Sequence, residues 1–566
     1  MSVNSLPKFK IMQIYMVPLL CVALFILFTT PVTDGDCFWH LASGRWIVEH
    51  LALPASDPFS FMVTDHNPFR PDSARIPFLL KQYWLGQVIM YMIWKVGGLA
   101  GIVLLRASVY TALLILLFRW LRSKNSGAIP VALALLTAAM LSEIPNERPQ
   151  LFSFILMPYS LFLLDSIHEP KARKTLHLLL LPAIMFLWAN IHGAYILGVC
   201  LIIGALGIHI FLASLKKISF DFRFVICAVL SSAITLLNPA GALAWIEIFN
   251  TLPQYAASIY ENLSPFHAAL RLHDFHPSYW IYIFAASLLL ILNFRTIRPF
   301  HLFVTTALVL LSFTAMRYMI FPLLAAPLIA GYMPEIRLDL PKGAAIAVLA
   351  VALFWSPGRE VLAFRAAPSF PVEATAFINS ATPAANLFNF YDWGGYLALN
   401  APGFKTFGDG RGLVEEYSLL EDRVMNGTGW QETFDRYRIT AVIIPGMSAL
   451  PGTVYPLAEA LSSSAMWQLV FADDKALVFI RLLPENRKIS ETYHLDRRFF
   501  LNHLVKSAER LLLSDPDREE YWVTKANALQ LGSNMPEAAA AYRQVLRINS
   551  GNEWARRMLI MLESAK

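Results

Sequence analysis

Two carboxylates one residue apart, Asp34 and Asp36, stand just after an apolar run, with Trp39, His40, Arg45, Trp46 and then Asp57 behind them in Pro31–Ser60. Acids where a chain leaves a bilayer are costly to keep dry, so they face water or a ligand. A carboxylate is a weak base at its ordinary pKa of about 4 and becomes a useful one when burial raises it. Asp36 precedes Cys37, Phe38 and Trp39, whose apolar bulk would desolvate it, which makes it the candidate base. Asp34 is then left to orient Asp36 or to hold a divalent cation. The competing reading is a turn, Asp34-Gly35-Asp36, whose acids cap a short amphipathic helix from Phe38 to His50. His40 could join Asp36 at a metal, but one His and two Asp at this spacing make a weak ligand set.

The cations form a second group. Arg148, in SEIPNERPQ, has the planar fork that matches a phosphate, or it pairs with Glu143 or Glu147 to close its own loop. His192 in WANIHGAY, Arg317 in SFTAMRYM and Arg106 are the other candidates for gripping a phosphate. Against that, a lone histidine at a helix end is commonly a hydrogen-bonded structural residue, and the two arginines could anchor to lipid headgroups.

These residues need elements to hold them. The 566 residues are 56% hydrophobic and only 15% charged, which excludes an ordinary soluble domain and predicts a mainly α, polytopic membrane protein. Apolar runs at 11–30, 98–118, 128–142, 151–166, 176–190, 194–215, 222–237, 278–294, 299–314, 318–333 and 343–356 predict about eleven spans. The run at 82–96 is short, aromatic and amphipathic, and suits a helix lying in the interface. Lys8 and Lys10 before the first run predict a retained signal anchor. With the N-terminus cytoplasmic, five short loops are basic: Arg119, Arg122 and Lys124; Lys171, Arg173 and Lys174; Lys216, Lys217 and Arg223; Arg295 and Arg298; Arg337 and Lys342. That topology puts Asp34, Asp36, Arg148, His192, Asn238, Glu261 and Arg317 on the opposite, extracytoplasmic side, with Arg106 just inside its span. The net charge of +6 is largely spent on the basic loops, so nucleic acid is not implied. Cys21, Cys37, Cys200 and Cys227 form no disulfide framework.

Three parts are expected: a transmembrane domain over 1–356 with its acidic first outer loop at 31–81, an extracytoplasmic α/β domain over 357–488, and a helical tail over 489–566. Strand-like runs at 439–445 and 476–483 mark the second part. Its Asp392-Trp393-Gly394-Gly395 stretch reads as a tight turn at a close backbone approach, and Asp409 and Arg411 lie on another turn, FGDGR. In the tail, Trp522, Ala526, Ala528, Leu531, Gly532, Ala538, Ala541, Tyr542 and Leu546 follow the spacing of one tetratricopeptide unit. A single such unit cannot bury its faces alone, so it packs on the α/β domain or on a protein partner.

One span, a large acid-bearing outer loop and a second span starting with an arginine resemble the GT-C superfamily of multispan glycosyltransferases, which includes protein O-mannosyltransferases, the lipid A aminoarabinose transferase and oligosaccharyltransferase. The stretches DGDCFWHLASGRWIVEHLALPASDPFSF, ERPQLFSF, NIHGAYILG, LNPAG and YDWGGYLALN with FGDGR more closely resemble a bacterial branch whose members often end in tetratricopeptide repeats. The resemblance implies a bacterial inner-membrane enzyme that moves a sugar from a polyprenyl-phosphate donor to an extracytoplasmic acceptor. It casts Asp36 and Asp34 as catalytic and Arg148, Arg317, His192 and Arg106 as donor-phosphate ligands. YDWGGY is loosely similar to the acceptor-recognising WWDYG motif of oligosaccharyltransferase, casting Asp392, Trp393 and Arg411 as acceptor ligands, and the long loop Asn238–Pro277 as a lid. Two other readings stay open: a non-catalytic scaffold or lipid-glycan handling protein, and a polymerase or ligase of surface polysaccharide.

Overall fold

Prolines set where many of the helices begin: Pro130, Pro265, Pro277, Pro299, Pro327 and Pro456 all sit in the first turn of a helix, where the missing N–H costs nothing. The computed structural model describes residues 20–63, 75–144, 146–167, 174–251, 260–272, 274–336, 360–383, 386–414, 416–448 and 452–564. Lys8, Lys10, residues 11–19 of the run 11–30, Lys171, Arg173, Tyr255, His273, Arg337, Lys342 and the run 343–356 lie outside the described residues. The chain divides into two units, Met1–Leu53 with Pro77–Ala367, and Pro54–Ile76 with Pro368–Lys566.

The first unit is helical. The acid-bearing segment after residue 30 forms α1 (Asp36–His50), which packs along α2 (Trp84–Lys124). The approach is closest at Gly44, where a Cβ would stand 2.2 Å from the Gln87 carbonyl oxygen, so no larger residue fits. Helix α2 leaves helical geometry at Gly98 (φ 57°, ψ −150°), between the stretch read as interfacial and the stretch read as a span. Behind it, a single apolar core built on Tyr110, Phe154, Trp188, Tyr279, Tyr282 and Phe321 joins the remaining helices. Large apolar side chains also face outward, among them Leu179, Phe211, Phe284, Ile291 and Leu292. A surface of that kind suits a membrane.

The count of spans needs correcting. Among the described residues three helices are long and apolar enough to cross a membrane, Trp84–Lys124, Gln150–Ile167 and Tyr195–Ser214, and not eleven. Five shorter apolar helices accompany them: Ile129–Glu143, Leu176–Ile191, Phe222–Leu237, Pro277–Asn293 and Pro299–Ser312. Backbone breaks account for two of the missing runs. The run 222–237 finishes as a 3₁₀ turn from Ile234, and the run 318–333 splits into Ile320–Leu324 and Pro327–Ala330, with Pro327 removing an N–H from the ladder.

The second unit carries a four-stranded sheet, β1 (Asn386–Asn389), β2 (Ile439–Ile444), β3 (Trp467–Ala472) and β4 (Leu477–Arg481), in the order β1-β2-β4-β3. β1 and β2 are parallel, joined through helices, and the other two pairings are antiparallel. Leu387, Ala441, Ile443, Val478 and Ile480 fill its core with Trp393 and Leu397. The tail is four helices, Arg497–Ser514, Glu519–Leu531, Met535–Ile548 and Glu553–Ser564, each packed on the next. Their core holds Ala526, Ala538, Ala541, Tyr542 and Val545. The tail also seats on the sheet part: Thr524 Oγ1 donates to the Gly452 carbonyl at 2.6 Å, and His503 Nε2 lies 2.9 Å from that of Asp473.

Candidate active site

In the first unit, three carboxylates converge on one guanidinium. Arg148 Nε pairs with Asp34 Oδ2, its Nη1 lies 3.1 Å from Asp36 Oδ2, and its Nη2 lies 2.6 Å from Glu261 Oε1. The other oxygen of Glu261 is 3.3 Å from Arg317 Nη2. Local chain geometry explains the positions. Asp34 Oδ1 accepts from the Asp36 N–H at 3.0 Å, a local turn just ahead of α1, whose N-cap is Gly35 without a side-chain cap. Asn146 Oδ1 accepts from the Arg148 N–H, and the helix Gln150–Ile167 begins two residues later. Glu261 and Arg317 each ride on a 3₁₀ turn, Tyr260–Asn262 and Met316–Tyr318, and the Met316 N–H donates to the Leu263 carbonyl at 2.9 Å.

The electrostatics separate the two aspartates. Burial pushes the Asp36 carboxyl up to about 7, with Asp34 adding to the rise and Arg148 opposing it. Its side chain remains about a quarter exposed, so it can still meet a ligand. Burial acts on Glu261 in the same sense, but the Arg148 and Arg317 guanidiniums hold it below the usual range. Arg317 Nε is buried without a hydrogen-bond partner among the described residues. His192 completes the surroundings. Burial, with Arg317 and Arg148 nearby, pulls its imidazole down to about 3, so it is neutral. Its Nδ1 lies 3.3 Å from the donating N–H of Ala194 and 3.0 Å from Ser153 Oγ, which leaves the proton on Nε2.

Arg106 lies apart from this cluster. Its side chain is 2% exposed, pairs with the fully buried Glu147, and donates to the carbonyls of Phe28 at 2.9 Å and Thr30 at 2.5 Å. It fastens the chain at Phe28–Thr30, just ahead of α1. Glu147 also accepts from the Asp34 N–H at 3.3 Å, so that pair supports the site from beneath. His40 is buried, 3.3 Å from Gln87 Nε2, and tucked against Trp39, so it joins no metal set with Asp36. Among the described residues no three His, Cys, Asp or Glu side chains are grouped to hold a metal ion. Asp34, Asp36 and Glu261 all face Arg148, whose guanidinium takes the place between them. Asn190 and Asn238 are staples: the first accepts from Trp84 Nε1, the second donates to the Gln82 and Ala189 carbonyls.

In the second unit the three acceptor candidates fall apart. Asp392 is exposed, whereas Trp393 is buried and donates its Nε1 to the Ser369 carbonyl at 3.2 Å. The close approach expected at the paired glycines is present: a Cβ on Gly394 would lie 2.0 Å from the Gly408 carbonyl oxygen. Arg411 is 5% exposed, held by both oxygens of Asp57 at 2.6 and 2.9 Å and by Asp409 at 2.8 and 2.5 Å. Its guanidinium nitrogens are all engaged by these two carboxylates. Two acids that matter were not singled out as site residues. Glu261 is the acid facing both arginines, and its signal was an acid isolated in a long outer loop. Glu421 is buried beneath the Tyr391 N–H, and nothing in its sequence surroundings marks it.

The chain shares its fold with the solved oligosaccharyltransferase of Archaeoglobus fulgidus in the apo form, with a TM-score of 0.51 over 91% of this chain and 86% of that one, at 11% identity. No family model and no curated protein matches the sequence. The fold likeness agrees at a coarse level with the GT-C resemblance of the sequence, and does not reach the bacterial branch.

Proposed function

We propose that the protein is a membrane glycosyltransferase that moves a sugar from a polyprenyl-phosphate donor to an extracytoplasmic acceptor. The observation that carries the reading is the pairing of a carboxyl raised to about 7, Asp36, with Arg148 and Arg317 in one outer-loop cluster. In the reaction the acceptor hydroxyl attacks the anomeric carbon, its proton passes to the Asp36 carboxylate, and the carbon–oxygen bond to phosphate breaks with the electron pair leaving on the phosphate. A base near neutral pKa and cations on the leaving group are what such a displacement requires. Asp34 orients Arg148 and closes the turn ahead of α1. Arg148, Arg317 through its spare Nε, and the neutral His192 receive the donor phosphate, while Glu261 holds the two guanidiniums at their spacing. Asp392 is the acceptor candidate that remains. The cluster faces the outside of a bacterial inner membrane, the N-terminus is cytoplasmic, and membrane lipids surround the first unit. The helical tail, with its tetratricopeptide-like spacing, offers a surface to a protein partner.

The test is Asp36→Asn in cells. Loss of glycan modification at an unchanged membrane level of the protein is the expected result. Unchanged glycans would remove Asp36 as base, and with it the transferase reading in favour of a scaffold.

A further inference from the structure

A cleft of about 440 Å³ opens in the second unit, away from the Arg411 cluster. That volume is in the range of small-molecule sites. Its walls come from the helix Trp430–Arg436 (Trp430, Gln431, Phe434, Asp435) and from the edge strand β3 and its neighbour β4 (Trp467, Arg481). Trp430 and Trp467 are 8% and 6% exposed, packed on either side of Phe434 at 5.6 and 5.3 Å between ring centres. The indole bodies are therefore fixed in the core. The Arg481 Nε is buried without a hydrogen-bond partner among the described residues. Arg481 Nη2 is 2.7 Å from Asp435 Oδ1, which pins the guanidinium and cancels its charge.

A buried donor without a partner, such as the Arg481 Nε, carries a cost until something accepts from it. What accepts here must be rich in oxygen and need not be charged, because the Arg481–Asp435 pair is neutral as a unit. A fixed guanidinium–carboxylate pair offers adjacent donors and acceptors, the pattern that vicinal hydroxyls satisfy. Aromatic edges on the same wall supply apolar contact for the ring carbons of such a ligand. We infer that this cleft is a saccharide-binding site, recognising a neutral sugar by its hydroxyls through Trp430, Trp467, Arg481, Asp435 and Gln431. The inference goes beyond the transferase reading, since a glycan could be held here whether or not the first unit performs transfer.

The test uses the full chain in lipid nanodiscs, free of glycoside detergent, with cellobiose and chitobiose as probes in saturation-transfer NMR and calorimetry. Saturable binding of at least one disaccharide is expected. Trp467→Phe keeps the ring and removes the N–H. It and the rim change Gln431→Ala, on an exposed residue that cannot unfold the core, should each weaken binding by about fivefold or more. Asp36→Asn should leave the affinity unchanged, so loss of transfer and loss of saccharide binding are read separately. No saturable signal from either probe at millimolar concentration would overturn the proposal. So would undiminished binding in both variants, or displacement of the sugar by inorganic phosphate.

Discussion

Arg148 and Arg411 are built from the same parts and differ in what is left over. Each is an arginine gripped by more than one acid, with at least one brought from a distant part of the chain. Around Arg411 two carboxylates saturate the fork, the side chain is 5% exposed, and Phe59 covers its face at 5.0 Å. Around Arg148 the side chain is 23% exposed, three acids share the guanidinium, and one of them is raised to about 7. A closed ion pair holds a fold together. An open one with a surplus of acids keeps a proton in play, which is a chemical property more than a mechanical one.

The comparison can be broken by making the same change at both places. Arg148→Met should reduce transfer by about 100-fold or more while shifting thermal stability little, read as glycan product against the melting of purified protein. Arg411→Met should do the reverse. It leaves Asp57 and Asp409 as unpaired buried charges, and the second unit should lose about 3–5 kcal/mol, seen as a lower Tm and faster proteolysis. If both variants melt normally, Arg411 is not the closed pair described here. Transfer by the wild type should fall about tenfold per pH unit below pH 7, because a base raised to that value is protonated there, and a pH–rate profile checks it. A profile flat down to pH 5 would deny Asp36 the role.

The smallest expected effect belongs to Glu421, which burial pushes up to about 8. Its folded pKa stands above its ordinary 4.5, so its contribution to stability is complete below 4.5 and is lost as pH rises through 8. Glu421→Gln should flatten the decline of the second unit's Tm between pH 5 and 8, and an unchanged slope would show that the carboxyl is ionised throughout.

How much of this was legible depends on the range over which each interaction is encoded. Charge alternation, a rule that acts loop by loop, reads Asp36 and Arg148 as lying on one side of a membrane, and in the structure the two side chains meet at 3.1 Å. The strands at 439–445 and 476–483 were visible as short apolar runs between polar ones. Glu261 was visible only as an odd acid in a long loop, since its partners Arg148 and Arg317 lie 113 and 56 residues away. The ion pair of Arg411 is hidden from the sequence for the same reason. FGDGR has the composition of an exposed turn, and its partner Asp57 precedes it by 354 residues. Helix length was overstated at 222–237 and 318–333 because hydrophobicity continues where the hydrogen-bond ladder does not. Composition reports where a segment is at home, and backbone geometry reports whether it is one helix.

The placement of Pro54–Ile76 within the second unit has a consequence in time. At about 5–20 residues per second, a ribosome needs roughly 20–70 s to make the 354 residues between Asp57 and Arg411. For that interval the acid and its neighbours are finished chain without a home. Asp57 is suited to the wait, because its carboxylate also accepts from the N–H groups of Phe59 and Ser60, a local turn that can form before the arginine exists. The last steps of assembly then close a loop that began near the N-terminus, so the second unit is completed only after almost all of the membrane part has been synthesised.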